Sequence, residues 1–215
     1  MDLKPTVLLI SFDGFRWDYF TKTSTPHLQF LLEGRVSAES LIPVFPTKTF
    51  PNHYSMATGL YPEKHGIVNN RFYDPKLRTH FTPAKRERRF DPQFWLGLPI
   101  WTTLEKQGFL TASVFWVGSD VEIPHRNPRY FLPYDQAFPA KQRIEEILSL
   151  LDRPVSERPT FLTLYFENTD TAGHQFGPES QEVLQAIQEL DLHFGQLLDG
   201  LTQRRIHDQV NLLLV

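Results

Sequence analysis

Five strand-sized runs, at Thr6–Phe12, Ser40–Phe45, Thr111–Trp116, Thr160–Phe166 and Val210–Val215, alternate with segments of helical period. That alternation restricts the chain to an α/β layer fold with a largely parallel central sheet flanked by helices. Thr6–Phe12 and Thr160–Phe166 are nearly continuous apolar runs, the pattern of strands buried on both faces. Between the strands, Pro26–Leu32 predicts a short helix with Thr25 as N-cap and Gly34 as its stop. Thr49–Gly59 predicts another, with Pro51 tolerated in its first turn. Leu98–Gln107 predicts a helix ended by Gly108, and Ala140–Leu151 an amphipathic one facing inward through Ile144, Ile147, Leu148 and Leu151. A long helix from Pro178 to about Thr202 carries Val183, Ile187, Leu190, Phe194, Leu197 and Leu201 on one stripe. Residues 70–95 have no clear period and predict an irregular excursion, and 118–139, with its prolines, predicts a surface loop. No repeat, low-complexity tract or linker divides the chain, so residues 1–215 are expected to form part of a single domain.

Parallel sheets carry their chemistry at the C-terminal ends of strands. Three places there hold reactive side chains. Asp13, in Ser11-Phe12-Asp13-Gly14, could bind a divalent ion, although Asp-Gly is also an ordinary turn. Thr49 stands at a helix start, where backbone N–H groups and the helix dipole favour an alkoxide or a phosphoryl oxygen; a plain N-cap is the commoner job for such a threonine. Asp170 and His174, four residues apart after the strand at 160–166, face one metal if the segment is helical; a capping Asp beside an unrelated His fits the spacing as well.

Composition narrows the chemistry. With no cysteine, disulfides, thiolate zinc sites and a Cys nucleophile are excluded, so a metal here must use His, Asp, Glu or hydroxyl ligands. A formal charge of −3 argues against duplex nucleic acid as the partner. The basic run Lys85-Arg86-Glu87-Arg88-Arg89 reads as a solvated loop before it reads as an anion site. No apolar run is long enough to span a bilayer. Met1–Pro5 does not resemble a signal peptide, so a cytoplasmic location is the default expectation.

Longer runs of sequence go further. Leu9-Ile10-Ser11-Phe12-Asp13-Gly14-Phe15-Arg16, Phe45 through Tyr54, Thr58 through Asn70, Phe115 through Ile123 and Tyr165 through Pro178 together resemble the nucleotide pyrophosphatase/phosphodiesterase family of the alkaline phosphatase superfamily. The resemblance extends over nearly the whole chain and implies an alkaline-phosphatase-like layered fold. It implies two Zn2+ ions per complete catalytic domain, one bound by Asp13 and Thr49 and the other by Asp170 and His174. Thr49 is then the nucleophile. Asn70, with the backbone at Phe50, holds a phosphoryl oxygen; Phe50 and Tyr165 wall the pocket for the leaving or nucleoside group. Lys48 and Trp116, beside these motifs, are carried as substrate contacts. The implied substrate is a small phosphodiester or nucleotide.

In the family, the strand at Val210–Val215 runs on into a Ser-Asp-His-Gly segment with further zinc ligands. Residues 1–215 match about the first half of the catalytic domain, truncated at its C-terminal side. Four metal ligands alone imply weak zinc binding and an inactive polypeptide. His53, His65, His125, His193 and His207 are expected to be surface or locally bonded residues. A catalytically dead module that binds a phosphorylated ligand or a partner is the alternative, and monoester or phosphonate hydrolysis the sister activity.

Overall fold

The computed structural model describes residues 5–33, 36–121 and 127–215. Gly34, the expected helix stop, and His125 lie outside the described residues. In chain order the helices are α1 (Pro26–Leu32), α2 (Thr49–Thr58), α3 (Pro62–His65), α4 (Arg86–Arg89), α5 (Ile100–Lys106), α6 (Ala140–Leu151), α7 (Asn168–Phe176) and α8 (Gln181–Gln203). The strands are β1 (Thr6–Phe12), β2 (Phe72–Asp74), β3 (Thr79–Phe81), β4 (Thr111–Val114), β5 (Tyr130–Leu132), β6 (Phe161–Phe166) and β7 (Val210–Leu214). They fall into two compact units, one of residues 1–41 and 135–215 and the other of residues 42–134.

The first unit has the expected α/β architecture. β1 is its central strand, parallel to β6 in the register Val7↔Phe161 to Phe12↔Phe166 and parallel to β7 from Thr6↔Val210 to Ile10↔Leu214. Helices flank these strands. The predicted inward faces of α6 and α8 are all buried, because each repeats an apolar residue at helical spacing. α8 starts at Gln181 rather than Pro178: Gly177, at φ +90°, and Pro178 end the separate helix α7, and Ser180 caps α8 by accepting from the Val183 N–H at 3.3 Å. Thr25 does occupy the N-cap position of α1 but caps nothing with its side chain. The buried Asp191 of α8 does that work, accepting from the Leu28 N–H at 2.7 Å.

The second unit holds the parallel pair β4–β5 and the antiparallel hairpin β2–β3. Both overturn sequence expectations. The hairpin lies in the excursion at 70–95, where Asp74 Oδ1 turns the chain by accepting from the N–H groups of Lys76 and Leu77 at 2.8 and 2.9 Å. Phe72 and Phe81 then stack across the strands at 5.1 Å. β5 lies inside the stretch predicted to be surface loop, and Ser119 and Val121 of that stretch are buried. Ser40–Phe45, in turn, forms no strand: Leu41, Ile42 and Phe45 are exposed, and the Val44 N–H donates to the Asn52 side chain instead of a ladder partner.

Candidate functional site

In the first unit, the site is built at the ends of β1 and β6. The ladder continues one residue past β1, the Asp13 N–H donating to the Phe166 carbonyl at 2.9 Å. Two hydroxyls from the facing segment then fix Asp13. Tyr165 donates its phenolic proton to Asp13 Oδ2 at 2.7 Å, and Thr169 donates to the Asp13 carbonyl at 2.6 Å. One carboxylate oxygen is thereby held while Oδ1 stays open to another donor or a cation. Gly14, at φ +70°, makes the close approach possible: a Cβ there would stand 2.7 Å from the Asp170 Cα.

Asp170 and His174 are on α7, so the condition their spacing set is met. His174 Nε2 lies 3.4 Å from Asp170 Oδ1, with the imidazole exposed and the carboxylate partly covered. Oxygen and imidazole donors on one helix face are the kind zinc takes. Among the described residues, no group of three or more His, Asp or Glu side chains is gathered as a closed metal site.

In the second unit, Thr49 is the first residue of α2, and Lys48, extended and exposed, occupies the N-cap position. Thr49 is therefore not the N-cap. The next N–H, that of Phe50, donates to Asn70 Oδ1 at 3.0 Å, while Asn69 Oδ1 accepts from the Asn70 N–H at 2.8 Å. With its oxygen so engaged, the Asn70 NH2 is oriented as a donor beside a helix N-terminus, where negative charge is favoured. The loop before Thr49 is held by Asn52. Its Oδ1 accepts from the Val44 N–H at 2.8 Å, and its Nδ2 donates to the carbonyls of Lys48 and Pro46 at 2.9 and 3.2 Å.

The remaining expected residues are placed as follows. The half-buried Phe50 ring packs against Phe81 and Trp95 at 5.8 and 6.2 Å. Trp116 is buried beneath α2, its indole N–H donating to the His53 carbonyl at 3.1 Å. Tyr165, expected as a pocket wall, spends its phenol on Asp13. His53 and His65 are buried and locally bonded, as expected of them. The Ile67 N–H donates to His65 Nδ1, which leaves Nε2–H for Ser55 Oγ at 2.9 Å; burial lowers the His65 pKa to about 4, so the ring is neutral. Sequence reasoning gave no role to Asn52 or Thr169. Asn52 sits inside a quoted run, but nothing local marks it as a staple.

Comparison with known proteins identifies the family. Residues 7–215 match the family model described as type I phosphodiesterase / nucleotide pyrophosphatase. The chain is 43% identical over 213 residues to human ectonucleotide pyrophosphatase/phosphodiesterase family member 1, a match covering 98% of this chain and 23% of that protein. It is also 43% identical to the venom phosphodiesterase CdcPDE of Crotalus durissus collilineatus, covering 97% of this chain and 25% of that one. The chain thus spans about a quarter of the length of these curated relatives. The murine ectonucleotide pyrophosphatase / phosphodiesterase 5, solved as an inactive threonine-to-alanine variant in complex with AMP, superimposes with a TM-score of 0.92 at 35% identity. That match covers 98% of this chain and 56% of the murine one. Motifs, fold and relatives agree: the chain belongs to the type I phosphodiesterase / nucleotide pyrophosphatase family.

Proposed function

We propose that residues 1–215 form part of one catalytic domain that hydrolyses phosphodiester or pyrophosphate bonds of nucleotide-type substrates through a phosphothreonine on Thr49. The observation that carries this reading is the pairing of Phe50 N–H with Asn70 next to Thr49. It sets an amide donor and a helix N-terminus beside the Thr49 hydroxyl, as a phosphoryl group under attack requires. The names of the relatives support the reaction class, and the murine complex supports both a threonine and a nucleotide ligand.

In this reading the Thr49 hydroxyl gives its proton to solvent and its oxygen bonds to phosphorus, as the bond to the leaving oxygen breaks and that oxygen departs with the electron pair. The Asn70 amide donates to a non-bridging phosphoryl oxygen, more strongly as charge develops. Phe50 packs beside the group attached to phosphorus. Water then attacks the phosphothreonine, restoring the Thr49 hydroxyl and releasing the phosphoryl product. Metal dependence follows from family membership, and zinc suits the donors Asp13, Asp170 and His174. When bound, a two-zinc pair lowers the charge cost of the alkoxide and of the phosphoryl oxygens. A catalytic zinc usually takes three protein ligands, so residues 1–215 by themselves bind zinc weakly and turn over little.

The test uses residues 1–215 joined to the remaining catalytic segment of a family member, with a nitrophenyl ester of thymidine monophosphate as substrate. Thr49→Ala lowers turnover by about 10⁴-fold or more, as loss of a nucleophile does, while folding is retained. Thr49→Ser keeps partial activity and can be trapped as a phosphoserine. Full activity in Thr49→Ala rejects the nucleophile. Ligand binding without turnover in the unmutated protein favours the catalytically dead module.

A further inference from the structure

Arg143 is on the first turn of α6 and faces inward, only 3% exposed. Its guanidinium makes a two-pronged contact with Glu167, Nη1 to Oε2 at 2.6 Å and Nη2 to Oε1 at 2.8 Å. Nη1 also donates to the Tyr165 carbonyl at 3.0 Å, and Nε donates to the Phe138 carbonyl at 3.1 Å. The plane lies 5.7 Å from the centroid of the Phe166 ring. One side chain therefore grips three successive residues, Tyr165, Phe166 and Glu167, where β6 ends and α7 begins.

That junction supports the metal-donor candidates Asp13, Asp170 and His174. Tyr165 and Thr169, just before and just after it, hold Asp13 by its carboxylate and its carbonyl. Glu167 is the N-cap residue of α7, which presents Asp170 and His174. Rotation of the β6–α7 turn would move both the hydroxyls on Asp13 and the donors on α7.

A buried ion pair is a poor device for stability, since desolvation offsets most of its Coulomb gain. What the planar fork supplies is direction: two parallel N–H···O bonds fix a carboxylate in angle as well as distance. We infer that Arg143 and Glu167 are positioning residues that set the β6–α7 turn, and through it the mutual placement of Asp13, Asp170 and His174. The inference rests on the reading of those three as metal donors.

Zinc titration of residues 1–215 joined to the remaining catalytic segment of a family member tests it with no turnover involved. The key variant is Arg143→Met with Glu167→Leu. Replacing both partners by apolar groups avoids a buried unpaired charge; the Tyr165 and Phe138 carbonyls lose a donor, so some stability is lost, and zinc affinity falls by about tenfold or more, as loss of a support to a metal ligand does. Hydrogen exchange quickens at the amides of residues 166–170. Ile147→Val, a cavity on the same helix, lowers stability and leaves zinc affinity unchanged. If the double variant does not fold, Arg143→Lys keeps the charge without the fork, and a weaker loss of affinity is expected. A folded double variant or Arg143→Lys protein that binds zinc as the wild type does overturns the inference. Asp170→Ala separates the two ideas: no effect on zinc rejects the donor reading and the positioning role with it. A loss in Asp170→Ala without a loss in the double variant rejects the positioning role alone.

Discussion

The two units hold their reactive residues by different means. In the first, Asp13, Asp170 and His174 are at the ends of regular elements. Asp13 extends a parallel ladder by one hydrogen bond, and α7 follows β6 almost at once. In the second, Thr49 follows a segment without regular structure, and side-chain amides do the holding: Asn52 binds the loop and Asn70 binds the helix start. A ladder distributes its hold over many main-chain bonds. An amide staple concentrates it in one replaceable side chain. Loss of one amide staple should therefore disturb the second unit more than loss of one ladder bond disturbs the first.

Of the residues that hold the two units' reactive groups, Asn70 should show the largest effect. Asn70→Ala removes the donor proposed for the phosphoryl oxygen and the acceptor of the Phe50 N–H. Turnover should fall by roughly 10²–10³-fold, the usual cost of one oxyanion donor, while the substrate concentration for half-saturation changes little. Phe50→Ala should do the reverse. Steady-state kinetics separates them, and equal changes in both parameters for both variants would reject this division.

How legible these features were in the sequence follows from the same contrast. The bounds of α6, Ala140–Leu151, and the whole buried stripe of α8 follow from local period alone. Ser40–Phe45 has as good an apolar run as a strand, but its hydrogen bonds go to Asn52, and β propensity yields to that contact. Asp13, Asp170 and His174 stand out at strand ends, and resemblance over long runs adds Asn70. Their supports do not stand out. Tyr165 is 152 residues from Asp13 in sequence, and Arg143 is 24 from Glu167; no local pattern announces either pairing.

Acid should also distinguish the units. His65 is buried and neutral in the second, with burial lowering its pKa to about 4 from the ordinary value of 6.5. The unfolded chain therefore takes up this proton first, and stability contributed by the neutral ring is present above pH 6.5 and lost as pH falls from about 6.5 to 4. The loss approaches about 3 kcal/mol at the low end. Hydrogen exchange in the second unit should quicken across that window before it does in β1 and β6. His65→Gln should flatten the dependence; an unchanged acid profile in that variant would assign the sensitivity elsewhere.

The smallest contrast compares one side-chain cap in each unit. Ser180→Ala removes the hydroxyl that accepts from the Val183 N–H at the start of α8. That costs about 1 kcal/mol, the common value for an N-cap, and it leaves the rest of α8 held by its buried stripe. Asn52→Ala removes bonds to Val44, Pro46 and Lys48 together. Each net bond contributes about 0.5–1.5 kcal/mol, but the side chain is half-buried and water replaces part of the loss, so about 2 kcal/mol is expected. The difference in free energy is modest; the difference in where it is felt is not. Ser180→Ala should raise hydrogen exchange only in the first turn of α8. Asn52→Ala should raise it through residues 44–49 and lower the yield of trapped phosphothreonine, because Thr49 is no longer presented in one orientation. If Asn52→Ala weakened denaturant resistance yet left exchange at 44–49 and trapping unchanged, the loop would be held by its main chain after all, and the two units would not differ in kind.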